Sequence, residues 1–283
     1  MKRILYVLMV CILIDACKED DNGINKGEFA LSTFKDERDG TVYKCITIGG
    51  DTWMAENLRY SLPGGFYKGC LRYSEGGGGM SQKQFDNYIE KVRNEGRMSE
   101  ELYQECYSLR DEGYVPRVLM EMIGYKFPAE LLDDLLSYDK TYVEKYGYLY
   151  TYGALDEAVP EGWRIPTDED WKRLEETLGV PAAEAGTLEA WRGNGLAGLL
   201  MEGDQGIGFG AMYGGGKIYH SDQNGGIYDG KGFRATWWAS DTVEHAKEGF
   251  LGMVRTIELN NSKVWRGTTK REGTAYSVRC IRK

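Results

Sequence analysis

Hydrophobic and polar positions change period several times along the chain, and each change marks an element. Val42, Lys44, Ile46 and Ile48 alternate with their neighbours in a β-branched run over 41–48 that Gly49-Gly50 closes, which predicts a strand and a tight turn. Asp51-Thr52-Trp53-Met54 begins the neighbouring strand. Residues 61–79 dissolve into glycine-rich loop ending in Gly76 to Gly79. Helical spacing then returns in Phe85, Ile89 and Val92, in Leu102, Cys106 and Leu109, and in Leu131, Leu132, Leu135 and Leu136, so three short helices fit 81–145. Tyr146, Tyr148, Tyr150 and Tyr152 alternate on one face of an extended segment. Such a ladder is a sugar-stacking platform or, as is commoner for tyrosine on a pleated surface, half-buried core. Pro166-Thr167 followed by Asp168-Glu169-Asp170 opens a helix with Thr167 as N-cap; Trp171, Leu174 and Leu178 form its buried face and Gly179 stops it. Residues 193–232 hold 14 glycines in 40 and read as loops and short strands. Strands follow at Trp237–Ser240, Met253–Ile257 and Tyr276–Ile281. In Trp237-Trp238 alternation predicts Trp237 in the core and Trp238 nearer the surface.

The first sixteen residues follow another logic. Lys2 and Arg3 precede an unbroken apolar run of eleven residues, Ile4 to Ile14, too short to span a bilayer and the right length for a signal peptide. Cys17 behind Ile14-Asp15-Ala16 resembles the box at which bacterial lipoproteins are cleaved and acylated, although Asp15 is atypical there. Lys18-Glu19-Asp20-Asp21 resembles the export signal of Bacteroidetes-type surface lipoproteins; residues 17–30 also read as a solvated tether. The expectation is a chain held by lipid at Cys17 on the outer membrane, facing the exterior.

The 283 residues carry 35 Lys+Arg against 44 Asp+Glu, a net charge of −9 that becomes −10 once 1–16 are removed. Without a basic stripe, nucleic acid is not an expected partner. Two histidines leave little imidazole for metal or acid–base chemistry. Gly193 to Gly198 fits G-x-G-x-x-G, but 188–192 reads as the end of a helix, which is the wrong context for a dinucleotide. Gly225 to Lys231 lacks the Ser or Thr a phosphate loop needs. His220, His245 and Ser240 sit in no nucleophile motif. With Cys17 acylated, Cys45, Cys70, Cys106 and Cys280 remain, and three pairings are open.

Four blocks together resemble a known family. Phe34 to Tyr43 with Ile48-Gly49 and Trp53 to Leu58, then Tyr146 to Thr151, then Pro160 to Trp171, and finally Ser277-Val278-Arg279-Cys280 are similar to the Fibrobacter succinogenes major paralogous domain. Gly208-Phe209-Gly210-Ala211 and Trp237-Trp238-Ala239-Ser240 match in order between them. The resemblance covers 31–60 and 146–283 and leaves 61–145 as a loop and helical insertion. It implies an α+β domain of C-type-lectin-like form, also the fold of formylglycine-generating enzymes: two helices, a twisted antiparallel sheet whose first and last strands pair, and long loops rich in glycine and aromatics. That strand pairing implies a Cys45–Cys280 disulfide and leaves Cys70–Cys106; the alternative is four buried thiols. Val159-Pro160 stands where family members commonly have Cys-Pro.

The expected function is a non-enzymatic, surface-anchored binding or adhesive domain for a glycan or protein ligand. Its alternatives are a structural envelope protein and an enzyme of the formylglycine-generating type, for which no cysteine lies in a suitable context. The expected ligand face carries Tyr213, Tyr219, Tyr228, Trp238 and Trp265 with Asp222, Asn224 and Asp241. No cofactor is expected; calcium at Asp222 or Asp241 is the alternative, with few oxygen ligands at hand.

Overall fold

The computed structural model describes residues 29–71, 73, 82–111, 131, 140–204, 206–218 and 227–283. The expectations for Cys17, Tyr219, His220, Asp222, Asn224 and the four glycines 76–79 therefore lie outside the described residues. The architecture is α+β.

One sheet has the order β1-β2-β3-β13-β6, built from Ala30–Lys35 (β1), Val42–Ile48 (β2), Asp51–Met54 (β3), Ile281–Arg282 (β13) and Trp163–Arg164 (β6). The β2–β3 hairpin turns through Gly49 and Gly50 with φ of +59° and +87°, the left-handed pair that a two-residue turn between twisted strands requires. The second sheet has the order β7-β12-β11-β10-β8-β9, from Ala190–Arg192 (β7), Val264–Thr269 (β12), Gly249–Glu258 (β11), Arg234–His245 (β10), Gly214–Ile218 (β8) and Ile227–Lys231 (β9). A third, two-stranded pairing joins Cys70–Leu71 (β4) to Leu149–Tyr150 (β5).

Helices α1 (Gln82–Asn94) and α2 (Glu100–Asp111) realise two of the three expected in the insertion, and they bury Phe85, Ile89, Val92, Leu102 and Cys106 with Leu131 in a cluster of their own. Helix α3 (Lys140–Tyr146) was not expected. It takes Tyr146 out of the tyrosine ladder, and Tyr148 and Tyr150 alone are fully buried, which decides for core over platform at those positions. Helix α4 is Leu155–Ala158. Helix α5 (Asp168–Thr177) starts as its sequence dictates: Thr167 Oγ1 accepts from the Asp170 amide at 3.1 Å, and the Asp170 carboxylate accepts from the Thr167 amide at 2.6 Å. Helices α6 (Ala182–Ala185) and α7 (Leu196–Leu200) follow it.

Two large cores share the sheets between them. Ile46, Trp53, Trp171, Leu174, Phe209, Trp237, Met253 and Ile281 belong to one; Tyr43, Cys45, Met54, Tyr150, Trp163, Trp238, Val254 and Cys280 belong to the other. Successive residues on β2 and β10 thus enter different cores. Trp238 is not near the surface: it is 0% exposed between its buried neighbours Trp237 and Ala239, and its Nε1 donates to the Tyr150 carbonyl at 2.7 Å. The alternation is right; the assumption of one wet face is what fails.

Both expected disulfides are corrected by the topology. Cys45 faces Met54 across β2–β3, and Met54 in turn takes the Cys280 carbonyl, so β3 stands between the two cysteines. Two strand spacings put their Cα atoms about 9.6 Å apart, beyond the ~4.4–6.8 Å of a bridge. Cys70 lies in the second core and Cys106 in the helical cluster. Cys45, Cys106 and Cys280 are buried free thiols, and Cys70 Sγ donates to the Tyr60 carbonyl at 3.7 Å. The last strand pairs with β3 and β6 rather than with the first.

Candidate functional site

Three of the four signature blocks, with the Phe209-Gly210 and Trp237 stretches, meet in one polar knot between the cores. Asn57 Oδ1 accepts from Trp237 Nε1 at 2.8 Å and from Arg279 Nε at 2.8 Å, while Asn57 Nδ2 donates to the Tyr146 carbonyl at 2.8 Å and to Ser277 Oγ at 3.2 Å. Arg279 also donates to the carbonyls of Met54, Phe209 and Gly210. Gly210 is glycine for cause: its φ is +68°, and a Cβ would lie 2.6 Å from the Ala55 carbonyl oxygen. Burial pushes the Arg279 guanidinium down to about 9, so it stays charged at neutral pH, with neutral oxygens for neighbours. Every polar atom there has a structural partner, and the knot is a clamp rather than a reaction site.

A second buried network braces α5 against the larger sheet. Glu175 bridges Arg192 and Arg255 at 2.7 Å each, and Asp168 bridges Arg255 at 2.9 Å and Arg266 at 2.6 Å. Burial alone would raise the Asp168 carboxyl, but the Arg266 and Arg255 guanidiniums outweigh it and hold it at about 2. Asp241, expected at the ligand face, is committed here: its Oδ2 accepts from the Asp168 amide at 2.6 Å.

The other face of the same sheet carries an open cleft of about 330 Å³. Its register aligns one residue from each of four strands: Trp191 on β7 faces Trp265 on β12, Trp265 faces Thr256 on β11, and Thr256 faces Thr236 on β10. The two indoles are half-buried, 5.6 Å apart and tilted by 58°. The Thr236 and Thr256 hydroxyls share a hydrogen bond of 3.0 Å. Arg234 ends the cleft, held between Glu258 at 2.8 Å and Asp229 at 2.9 Å; Ile218, Val254 and Tyr276 complete its apolar wall.

Of the residues expected at a ligand face, Trp265 lines this cleft. Trp238 is core. Tyr228 packs its ring edge-on to Tyr73 at 5.5 Å, and Tyr213 lies half-buried against the first core. Trp191, Thr236, Thr256, Arg234 and Glu258 were missed, because 188–192 reads as a helix end where β7 stands. Alternate positions Arg234, Thr236 and Val254, Thr256, Glu258 carry the signal that would have found the sheet face. The G-x-G-x-x-G stretch does follow a strand and enter a helix, contrary to the sequence reading, yet its amides are occupied: Gly193 N by Glu184 Oε1, Leu196 N by the Gly193 carbonyl and Ala197 N by the Ser262 carbonyl. Among the described residues no group of three or more His, Cys, Asp or Glu is placed to hold a metal, and no helix is long and apolar enough to cross a membrane.

No curated protein and no solved structure matches the chain. The model of the Fibrobacter succinogenes major domain matches residues 46–282, a span that runs from β2 to β13 and contains Asn57, Phe209, Gly210, Trp237 and Arg279, the residues that close the knot. The clamp between the cores is thus built from the matched segment itself, and the chain belongs to the Fibrobacter succinogenes major domain family.

Proposed function

We propose that this protein is a surface-anchored lipoprotein whose domain binds a glycan or protein ligand without transforming it, and that the cleft on the larger sheet is the binding site. The observation that carries the reading is the register-aligned row that lines the cleft, with half-buried Trp191 and Trp265 leading to Thr256 and Thr236 at its floor. Half-exposed indoles offer large rigid contact area, and neighbouring hydroxyls fix orientation. The ionisable side chains Arg234 and Glu258 neutralise one another instead of standing ready for proton transfer. Thiol chemistry of the formylglycine-generating kind has poor support, since burial pushes Cys45 up to about 11 and Cys106 up to about 12, away from the thiolate. A C-type-lectin-like organisation is the finer fold assignment we propose within α+β, supported by the terminal segment returning to the sheet that holds β1.

Anchoring through acylated Cys17 at the outer face of the outer membrane belongs to the same proposal, on the strength of the apolar run and the acidic stretch around it. Cys17→Ala is expected to release the protein from the membrane fraction, and retention of that variant would defeat the anchor. For the cleft, Trp265→Ala should lower adherence of purified protein to its ligand while leaving the melting temperature in place. A structural envelope role is the second reading, favoured by the family blocks converging on a clamp; it predicts that Trp265→Ala changes nothing outside the cleft.

A further inference from the structure

We infer that the ligand of this cleft is a neutral pyranose chain laid across the strands, an inference that rests on the cleft being a binding site at all. The backbone decides first. Strands β12, β11 and β10 lie inside the sheet, so their amides and carbonyls are spent on their neighbours; β7 is the edge strand, and a peptide added there would lie beside the row in the plane of the sheet and not across this face. Only side chains are on offer. These are indole plates and hydroxyls, the complement of a ring with apolar C–H faces and a hydroxyl rim.

The plate is seated by the sheet itself. A Cβ at Gly267 would lie 2.2 Å from Trp265 Nε1 and 2.9 Å from its Cε2, so the Trp265 ring rests on the bare backbone of its own strand and no larger residue could stand beneath it. Trp191 leans against it at 58° and turns the plate into a trough. Four strands at a spacing of about 4.8 Å make the row about 14 Å long, room for a short oligosaccharide rather than a single ring. The Thr236–Thr256 pair, 4% and 8% exposed, hydrogen-bonds within itself and forms a polar floor at the bottom of the trough, while the half-buried Thr268 and Thr269 line the cleft beside it.

Charge selects among sugars. Arg234 with Asp229 and Glu258 sums to −1 at the end of the cleft, so uronic acids and phosphorylated ligands meet repulsion there and neutral rings do not.

The test is titration of the purified full chain, followed by calorimetry and tryptophan fluorescence, with neutral hexasaccharides of glucose, xylose and mannose, with hexagalacturonate, and with an extended neutral peptide. A neutral hexasaccharide should bind at least about tenfold more tightly than hexagalacturonate, and Trp265→Ala should weaken it by about tenfold or more with the melting temperature unchanged. Thr256→Val, which keeps the shape, should weaken it in the same direction. Equal or better binding of hexagalacturonate, or neutral binding that survives both substitutions, would overturn the inference. If the peptide alone binds and Trp265→Ala abolishes it, the sugar assignment falls and the binding cleft stands. If no probe binds, and Trp265→Ala also leaves attachment to the bacterium's own surroundings unaltered, both fall.

Discussion

Trp237 and Trp238 are consecutive on β10, and their indoles end in different cores: Trp237 Nε1 donates to Asn57 beside Trp171, and Trp238 Nε1 donates to Tyr150 beside Tyr276. One strand therefore serves two interiors at once. Trp238→Ala should cost about 3–5 kcal/mol, because it leaves a large cavity in the second core. Urea denaturation checks this, and Trp265→Ala, half exposed on the same sheet, should shift the midpoint far less.

The Asn57 clamp makes a second prediction. Asn57→Leu removes the oxygen that receives both Trp237 and Arg279 and leaves a buried guanidinium short of an acceptor. A loss of about 3 kcal/mol or more is expected. Arg279→Met, which removes the charge with the donor, should cost less than Asn57→Leu if the stranded charge is the main penalty; the two denaturation curves compare them directly.

Acid should unfold the domain through its carboxylates. Asp168 is held at about 2 against an ordinary 3.8, and Asp170 is lowered too, where burial opposes the effect and Arg164 with Thr167 overcomes it. A folded-state value below the unfolded one stabilises fully above the unfolded value and is lost as pH falls through the folded value. Asp168 thus contributes about 2 kcal/mol at neutral pH that disappears between about pH 4 and pH 2. Asp168→Asn should lower stability at pH 7 and flatten this part of the profile, read by melting temperature against pH.

Alkylation tests the thiols. Iodoacetamide at pH 8 should leave Cys45, Cys106 and Cys280 unmodified in the folded protein and label all three in urea without reductant, since they are buried and burial raises each thiol. A peptide carrying Cys45 bridged to Cys280 in the mass spectrum would contradict the strand order given for β2, β3 and β13.

Gly267→Ala probes how Trp265 is seated. The new methyl group has no room under the indole, so the ring should swing toward solvent, with a red-shifted emission and a weaker ligand. An unshifted spectrum would mean that the strand, and not the ring, gives way.

Local signals were legible where neighbours in sequence are neighbours in space. Thr167 and Asp170 form the capping box that their spacing announces, and Gly49-Gly50 turns the hairpin that their order announces. The α+β class followed from a family resemblance whose blocks do converge. What stayed hidden depends on what lies across a strand. Nothing near Trp238 tells that its second face is covered by Tyr150 and Tyr276, and nothing near Cys45 tells that β3 separates it from Cys280. The cleft joins Trp191 to Trp265 and Thr256 to Thr236 through register alone, and register is a property of the folded sheet.

The position of β13 also orders events in time. Its two residues, Ile281 and Arg282, fill the slot between β3 and β6, and Arg279 immediately before them supplies the guanidinium that Asn57 waits for. The smaller sheet cannot close while the chain is still emerging, because the piece that joins its halves is made after every other strand. Until Ile281 and Arg282 arrive, β3 and β6 have no strand between them, so closure of the smaller sheet is tied to the last-made strand of the domain.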